Sequence, residues 1–173
     1  SGVRARLQRP LDFLVVADHS DNMGFFPDIL AGAEHILSDP TGKDWYDRIK
    51  AGEGVGVALE LIGLFSQGNF PEGLVYTPDS QPYKDAWART VAAAEKYNDP
   101  GKFTTLLGYE WTSIPNGRNM HRNVFFRDKF PEAPFTAFDS IYPEDLWTFQ
   151  EVQRGIGRDN LAIPHNANVS DGW

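Results

Sequence analysis

The run Leu11-Asp12-Phe13-Leu14-Val15-Val16-Ala17 is short, nearly continuous in apolar character and rich in branched residues. It stops at once on Asp18-His19-Ser20-Asp21. A run of this length with a polar carboxyl end predicts a buried parallel strand. Two later segments are built the same way. One runs from Phe103 to Gly108-Tyr109-Glu110-Trp111, and the other is Leu161-Ala162-Ile163-Pro164 followed by His165-Asn166. A further strand is predicted from Arg122 to Arg127, after the turn Ile114-Pro115-Asn116-Gly117-Arg118-Asn119.

The segments between these strands read as helices. From Met23 to about Gly68, Ile29, Ala33, Ile36 and Leu37 share one face, and Val55, Leu59, Ile62 and Phe65 form a second stripe. Pro82 opens another helix, with Trp87, Val91 and Ala94 on its buried face, and Asn98-Asp99-Pro100-Gly101 stops it. Pro143-Glu144-Asp145 opens a last one, its acids at the favourable end of the helix dipole, with Leu146, Phe149 and Val152 as its apolar face. The order strand, helices, strand, strand, helix, strand predicts an α/β chain with a mostly parallel sheet, folded as one domain over residues 1–173. In such folds chemistry collects at the carboxyl ends of the strands.

Composition narrows the chemistry. Acids outnumber Lys and Arg by 24 to 16, for a formal net charge of −8. Without a strongly basic segment, that argues against a nucleic-acid or membrane-surface partner. The longest strongly apolar run, Phe13 to Ala17, is far short of a membrane span. Cysteine is absent, so there is neither a disulfide framework nor a thiolate metal site. Any metal centre must be built from imidazole and carboxylate.

The chain has four histidines, and three stand beside predicted strand ends: His19, His121 and His165. With Glu110, which could bridge two ions, they make up the ligand set of a hydrolytic Zn, Mn or Fe site. A histidine taken alone is more often a packed structural residue; the shared placement of these three sets them apart. Asp18 is a candidate to orient His19 or a bound water. Arg118 and Arg122 flank His121, and guanidinium groups there suit phosphate oxygens, although a solvated basic turn reads equally well. His35 reads as a packed or solvated helix residue, and Trp111 and Trp147 as core. Asn168-Val169-Ser170 is a glycosylation sequon, a pattern too common to carry weight.

The first strand with Asp18-His19 resembles the second motif of the PHP (polymerase and histidinol phosphatase) superfamily. Three further blocks resemble a bacterial PHP-like group, domain-of-unknown-function family 3604. They are Gly108-Tyr109-Glu110-Trp111-Thr112-Ser113, the stretch from Asn119-Met120-His121-Arg122-Asn123-Val124 to Arg127, and Ile163-Pro164-His165-Asn166 through Gly172. The resemblance implies a distorted (β/α) barrel with two or three divalent metals at its mouth. It places His19, Glu110, His121 and His165 at ligand positions. PHP proteins also carry a His-x-His pair on the first strand and an Asp-x-His pair on a late one, and neither occurs here. With a start at Ser1-Gly2 and a stop at Trp173, the expectation is an internal fragment missing both ends of its barrel.

The resemblance therefore implies a piece of a metal-dependent hydrolase that attacks a phosphoester with metal-bound hydroxide. In this reading Asp18 and Arg122 have catalytic roles, and Arg118, Arg122 and Asn166 hold a small phosphorylated substrate. With the completing motifs missing, one weakly or partially held ion is expected, or none, and little activity in the fragment itself. Alternatives are a non-catalytic binding module without metal and an amidohydrolase-like barrel acting on C–N bonds. Strands built for burial, left with open edges, predict a homodimer or larger assembly.

Overall fold

The computed structural model describes residues 4, 6–167 and 170–172. The sequon residues Asn168 and Val169 lie outside the described residues. Four strands, β1 Phe13–Val16, β2 Thr104–Ser113, β3 Met120–Phe126 and β4 Asn160–Pro164, form one open sheet in the order β1-β2-β3-β4. Among the described residues, six α-helices accompany them. Four precede β2's own helix: α1 Phe25–Ala31, α2 Glu34–Leu37, α3 Pro40–Lys50 and α4 Gly54–Ser66. Next come α5 Gln81–Tyr97, which leads into β2, and α6 Pro143–Gly155, which leads into β4. The α/β class and the element order match the sequence reading.

The expected mostly parallel sheet is corrected. β1 pairs with β2 in parallel, but β2–β3 and β3–β4 are both antiparallel, so the sheet is mixed and mostly antiparallel. The described residues form an open sheet, not a barrel. The reason is local. β2 and β3 are joined only by the turn at 114–119, which is far too short for the crossover that parallel neighbours require. Asn116 and Gly117 both take positive φ in that turn, as its Pro-Asn-Gly sequence allows. β1, β2 and β4 nevertheless run in one direction, and β3 runs against them. The carboxyl ends of the three and the amino end of β3 therefore meet at one end of the sheet.

Strand alternation divides the sheet into two faces. One carries Leu107, Tyr109, Trp111, Val124 and Phe126, all buried in the core with Trp87 of α5 and Leu146 of α6. The Trp87 and Tyr109 rings meet edge-on at 6.2 Å. The opposite face carries His19, Glu110, Thr112 and His121 at one end, and Phe13, Leu161 and Ile163, all exposed, along its length. A second group of core side chains ties the early helices together. Phe25 packs edge-on against Phe70 at 5.5 Å and against Trp45 at 6.2 Å.

Individual residues explain several helix boundaries. Asp39 caps α3 by accepting from the Thr41 and Gly42 amides, with Pro40 in the first turn. α1 begins after Gly24, at φ 96°, where a Cβ would lie 2.8 Å from the Ala86 methyl. Only glycine lets the loop after β1 lie this close to α5. In α4, Val57 and Leu61 are buried, whereas the stripe of Val55, Leu59 and Ile62 is exposed.

Candidate metal centre

β1 is carried to the site by its parallel pairing with β2. The Glu110 amide donates to the Asp18 carbonyl at 2.7 Å, and the Ser20 amide donates to the Glu110 carbonyl at 2.8 Å. This bridge sets His19 beside Glu110 on the same face. The Ser20 hydroxyl, fully buried, donates to that same Glu110 carbonyl at 2.8 Å, and the Tyr83 hydroxyl donates to the Ser20 carbonyl at 2.8 Å. The segment after β1 is thus anchored from both β2 and α5. On the other side, Thr112 stands opposite His121 in the β2–β3 ladder, and the His165 amide donates to the His121 carbonyl at 3.2 Å.

The four residues predicted as ligands converge. Glu110 is 3% exposed and lies at the centre. Its Oε1 is 2.5 Å from His121 Nδ1 and 3.5 Å from His19 Nε2, and its Oε2 is 3.3 Å from His165 Nδ1. One donor atom each from His19, Glu110 and His121 lie within 4.8 Å of one another. The His121 ring meets those of His19 and His165 edge-on, at 5.5 and 6.0 Å. His121 is 3% exposed, and its Nε2 is buried with no hydrogen-bond partner. A buried imidazole nitrogen without a partner is costly, and a ligand role is one way such an atom is satisfied; the nitrogen that faces Glu110 is Nδ1.

The electrostatics differ from ring to ring. Burial is the largest influence on His121 and lowers its pKa below the usual histidine value, which keeps the ring neutral as a ligand must be. The hydrogen bond from His19 Nδ1 to Asp21 Oδ1, at 3.1 Å, is the largest influence on His19 and raises its pKa. With Nδ1 held by a carboxylate, Nε2 is the atom turned toward Glu110. This is the arrangement that orients metal-binding histidines in general.

Two residues at the centre were not singled out from sequence. The Thr112 hydroxyl, buried, lies 3.1 Å from Glu110 Oε1 and 3.0 Å from His121 Nδ1, so it braces two ligands at once. Asp21 is the carboxylate that hydrogen-bonds His19 Nδ1. Thr112 stands two residues from Glu110 on β2, which puts it on the same face, and Asp21 opens the turn that follows the His19 bridge.

Of the remaining candidates, Asp18 lines the same cavity as His19, Thr112 and His121. Asp18 precedes His19 and is exposed; its carbonyl serves the β1–β2 ladder, and its charge only adds to the upward shift of His19. Arg122 pairs with Trp111 and Pro164 on the opposite face from His121, and its guanidinium donates to the His121 carbonyl at 2.8 Å. Arg118 sits in the turn before β3 and pairs with Asp171 at 3.2 Å. Asn166 is exposed, next after His165. His35, read as a helix residue of no special role, bonds through Nε2 to the Tyr76 hydroxyl, which in turn donates to Asp28.

The chain is thus a mixed α/β protein with a buried carboxylate ringed by three histidines at one end of its sheet. It belongs to the family described as Protein of unknown function (DUF3604), whose model matches residues 1–173. No curated protein and no solved structure matches the chain. Among the described residues, no helix is long and apolar enough to cross a membrane.

Proposed function

We infer that this chain carries the divalent-metal centre of a PHP-like hydrolase that acts on phosphoester bonds. The observation that carries the reading is the buried Glu110 ringed by His19, His121 and His165, with a buried imidazole nitrogen that lacks a partner. The donor set is nitrogen and oxygen without sulfur, which suits Zn, Mn or Fe. PHP membership and the phosphoester preference rest on the motif blocks around His19, Glu110, His121 and His165.

In this reading Glu110 and His121 hold the cation from inside the protein, and His19 and His165 hold it from the solvent side. A cation bound here would supply Lewis acidity and a lowered pKa for water. Thr112 fixes the Glu110 carboxylate and the His121 ring relative to each other. Asp21 keeps the His19 Nε2 lone pair directed inward. Arg118 and Asn166, beside the cluster in sequence, are assigned to an anionic substrate. Arg122, on the far face, is given no role at the substrate.

Titration calorimetry with zinc and with manganese tests the centre. One ion per chain is expected. Glu110→Gln should weaken binding by more than the roughly 100-fold that changes around a ligand cost. Unchanged affinity in that variant, or two or more tightly held ions per chain, would refute the reading.

A further inference from the structure

A cavity of about 940 Å³ opens beside the cluster. It begins at His19, Asp21, Thr112, Asn119 and His121, and extends away along α5. Ala86, Arg89, Thr90, Ala93, Ala94 and Tyr97 line it at helical spacing, so one whole stripe of α5 faces it, with Arg89 as its one charged member. From Ala86 to Tyr97 that stripe spans roughly 16 Å of helix axis. Leu14 and Val16 of β1 and Leu61, Ile62 and Phe65 of α4 supply apolar wall.

The direction of the cavity follows from the topology. The Thr105 hydroxyl, early in β2, donates to the Ala94 carbonyl at 2.6 Å, so the carboxyl end of α5 lies far from the cluster. Ala86, by contrast, touches Gly24 in the loop that follows His19. The candidate ligands therefore stand at one end, and the α5 stripe, apolar apart from Arg89 and Thr90, leads away from them. Small side chains on α5 keep the space open where larger ones would close it. The volume falls in the range of small-molecule sites.

We propose that this cavity holds the apolar body of the substrate, so that the protein acts on an amphiphilic ester: an anionic head at the cluster and an aliphatic tail along α5. The class rests on the metal-centre reading for its head and on the cavity alone for its tail. Polarity sorts the two ends. A free phosphate or a sugar phosphate would leave the Leu14, Val16, Ile62 and Phe65 surface in water. An alkyl tail removes that surface from water.

The test separates the two parts. Ethyl phosphate and octyl phosphate are titrated into metal-free and zinc-loaded protein. Octyl phosphate should bind at least about tenfold more tightly than ethyl phosphate in both forms, because each buried methylene adds affinity. Ala93→Trp fills the cavity from an exposed position on α5 and should remove the chain-length preference while zinc uptake stays the same. Equal affinity for the two esters overturns the proposal, as does a preference that survives Ala93→Trp. Equal affinity together with a dimer mass by light scattering would mean that a second copy fills the cavity, and overturns it too. If zinc adds nothing to binding while the preference persists, the metal-centre reading fails and the cavity assignment stands.

Discussion

Gly108 lies two residues before Glu110, on the same face of β2, and the placement of His19 depends on it. A Cβ at this position would lie 2.6 Å from Val15 Cγ2, 2.9 Å from the Val124 carbonyl oxygen and 3.1 Å from Phe125 Cβ. The Val15 methyl can rotate away. The Val124 oxygen and the Phe125 Cβ belong to the neighbouring strand and move only with its backbone. Gly108→Ala must therefore spread β2 from β1, from β3 or from both. Overpacking of this kind costs about 1–3 kcal/mol. The loss of chain entropy in the unfolded state offsets about 0.4–1 kcal/mol of that. The net destabilisation, about 1–2 kcal/mol, corresponds to a fall of roughly 2–8 °C in the unfolding midpoint for a chain of this size. Circular dichroism of the metal-free protein measures it. Gly63→Ala is the control, because a Cβ there meets nothing within 4 Å inside α4 and should raise the midpoint. Gly108→Ala should also weaken zinc binding, since the β1–β2 ladder is what brings His19 to Glu110. A Gly108→Ala midpoint at or above the parent value would refute the packing argument. A lowered midpoint with unaltered zinc affinity would show that the ladder does not set the site.

Metal-free protein should lose stability as the pH falls below about 6.5, the value of a histidine in the unfolded chain. Burial lowers the pKa of His121, so the unfolded state takes up its proton first as the solution is acidified. His19 has its pKa raised and works in the opposite sense, its contribution fading as the pH rises through that raised value, but more than half its side chain is in water and screening keeps it small. Urea midpoints at pH 5.5 and 7.5 in a chelating buffer measure the slope; His121→Gln should flatten it, and an unchanged slope would assign the effect to another group. Asp21→Asn should lower zinc affinity by roughly 10–100-fold with the unfolding midpoint of the metal-free protein little changed, because Asp21 acts on the direction of the His19 ring. Calorimetry that finds parent affinity in Asp21→Asn would leave His19 oriented by something else.

Parity along a strand explains most of what the sequence disclosed and what it withheld. His19 and His165 were legible because each follows a strand end, where an apolar run turns polar, while Glu110 lies inside β2 and His121 at the start of β3; the runs themselves marked β1, β2 and β4. The direction of β3 was also written in the chain. Pro115-Asn116-Gly117 lies between two strands too closely spaced for a crossover, which demands a hairpin whatever the class of the rest. The face of α4 was not legible. From Val55 to Phe65 the helix is apolar almost all round, so periodicity offers more than one stripe. The choice is made by partners distant in sequence. Trp45 donates to Glu60 at 2.9 Å and Arg48 pairs with Glu60 at 2.8 Å, which turns Val57 and Leu61 inward and leaves Val55, Leu59 and Ile62 exposed.

The supporting residues follow the same rule. Arg122 adjoins a histidine in sequence, and adjacency on a strand sends its side chain to the other face. Asp21 and Thr112 each stand two residues from a ligand, and both reach the cluster. Chemical type alone ranked Arg122 above Thr112, since a guanidinium looks made for phosphate. Position reverses that order. Arg122 is committed to the His121 carbonyl on the far face, while the smaller hydroxyl touches both the carboxylate and the buried ring. The site therefore draws on all four strands: Glu110 and Thr112 on β2, His121 on β3, and His19 and His165 just beyond β1 and β4. The apolar stretch of the face that carries Glu110 and His121, with Phe13, Leu161 and Ile163, continues from the cluster along the sheet.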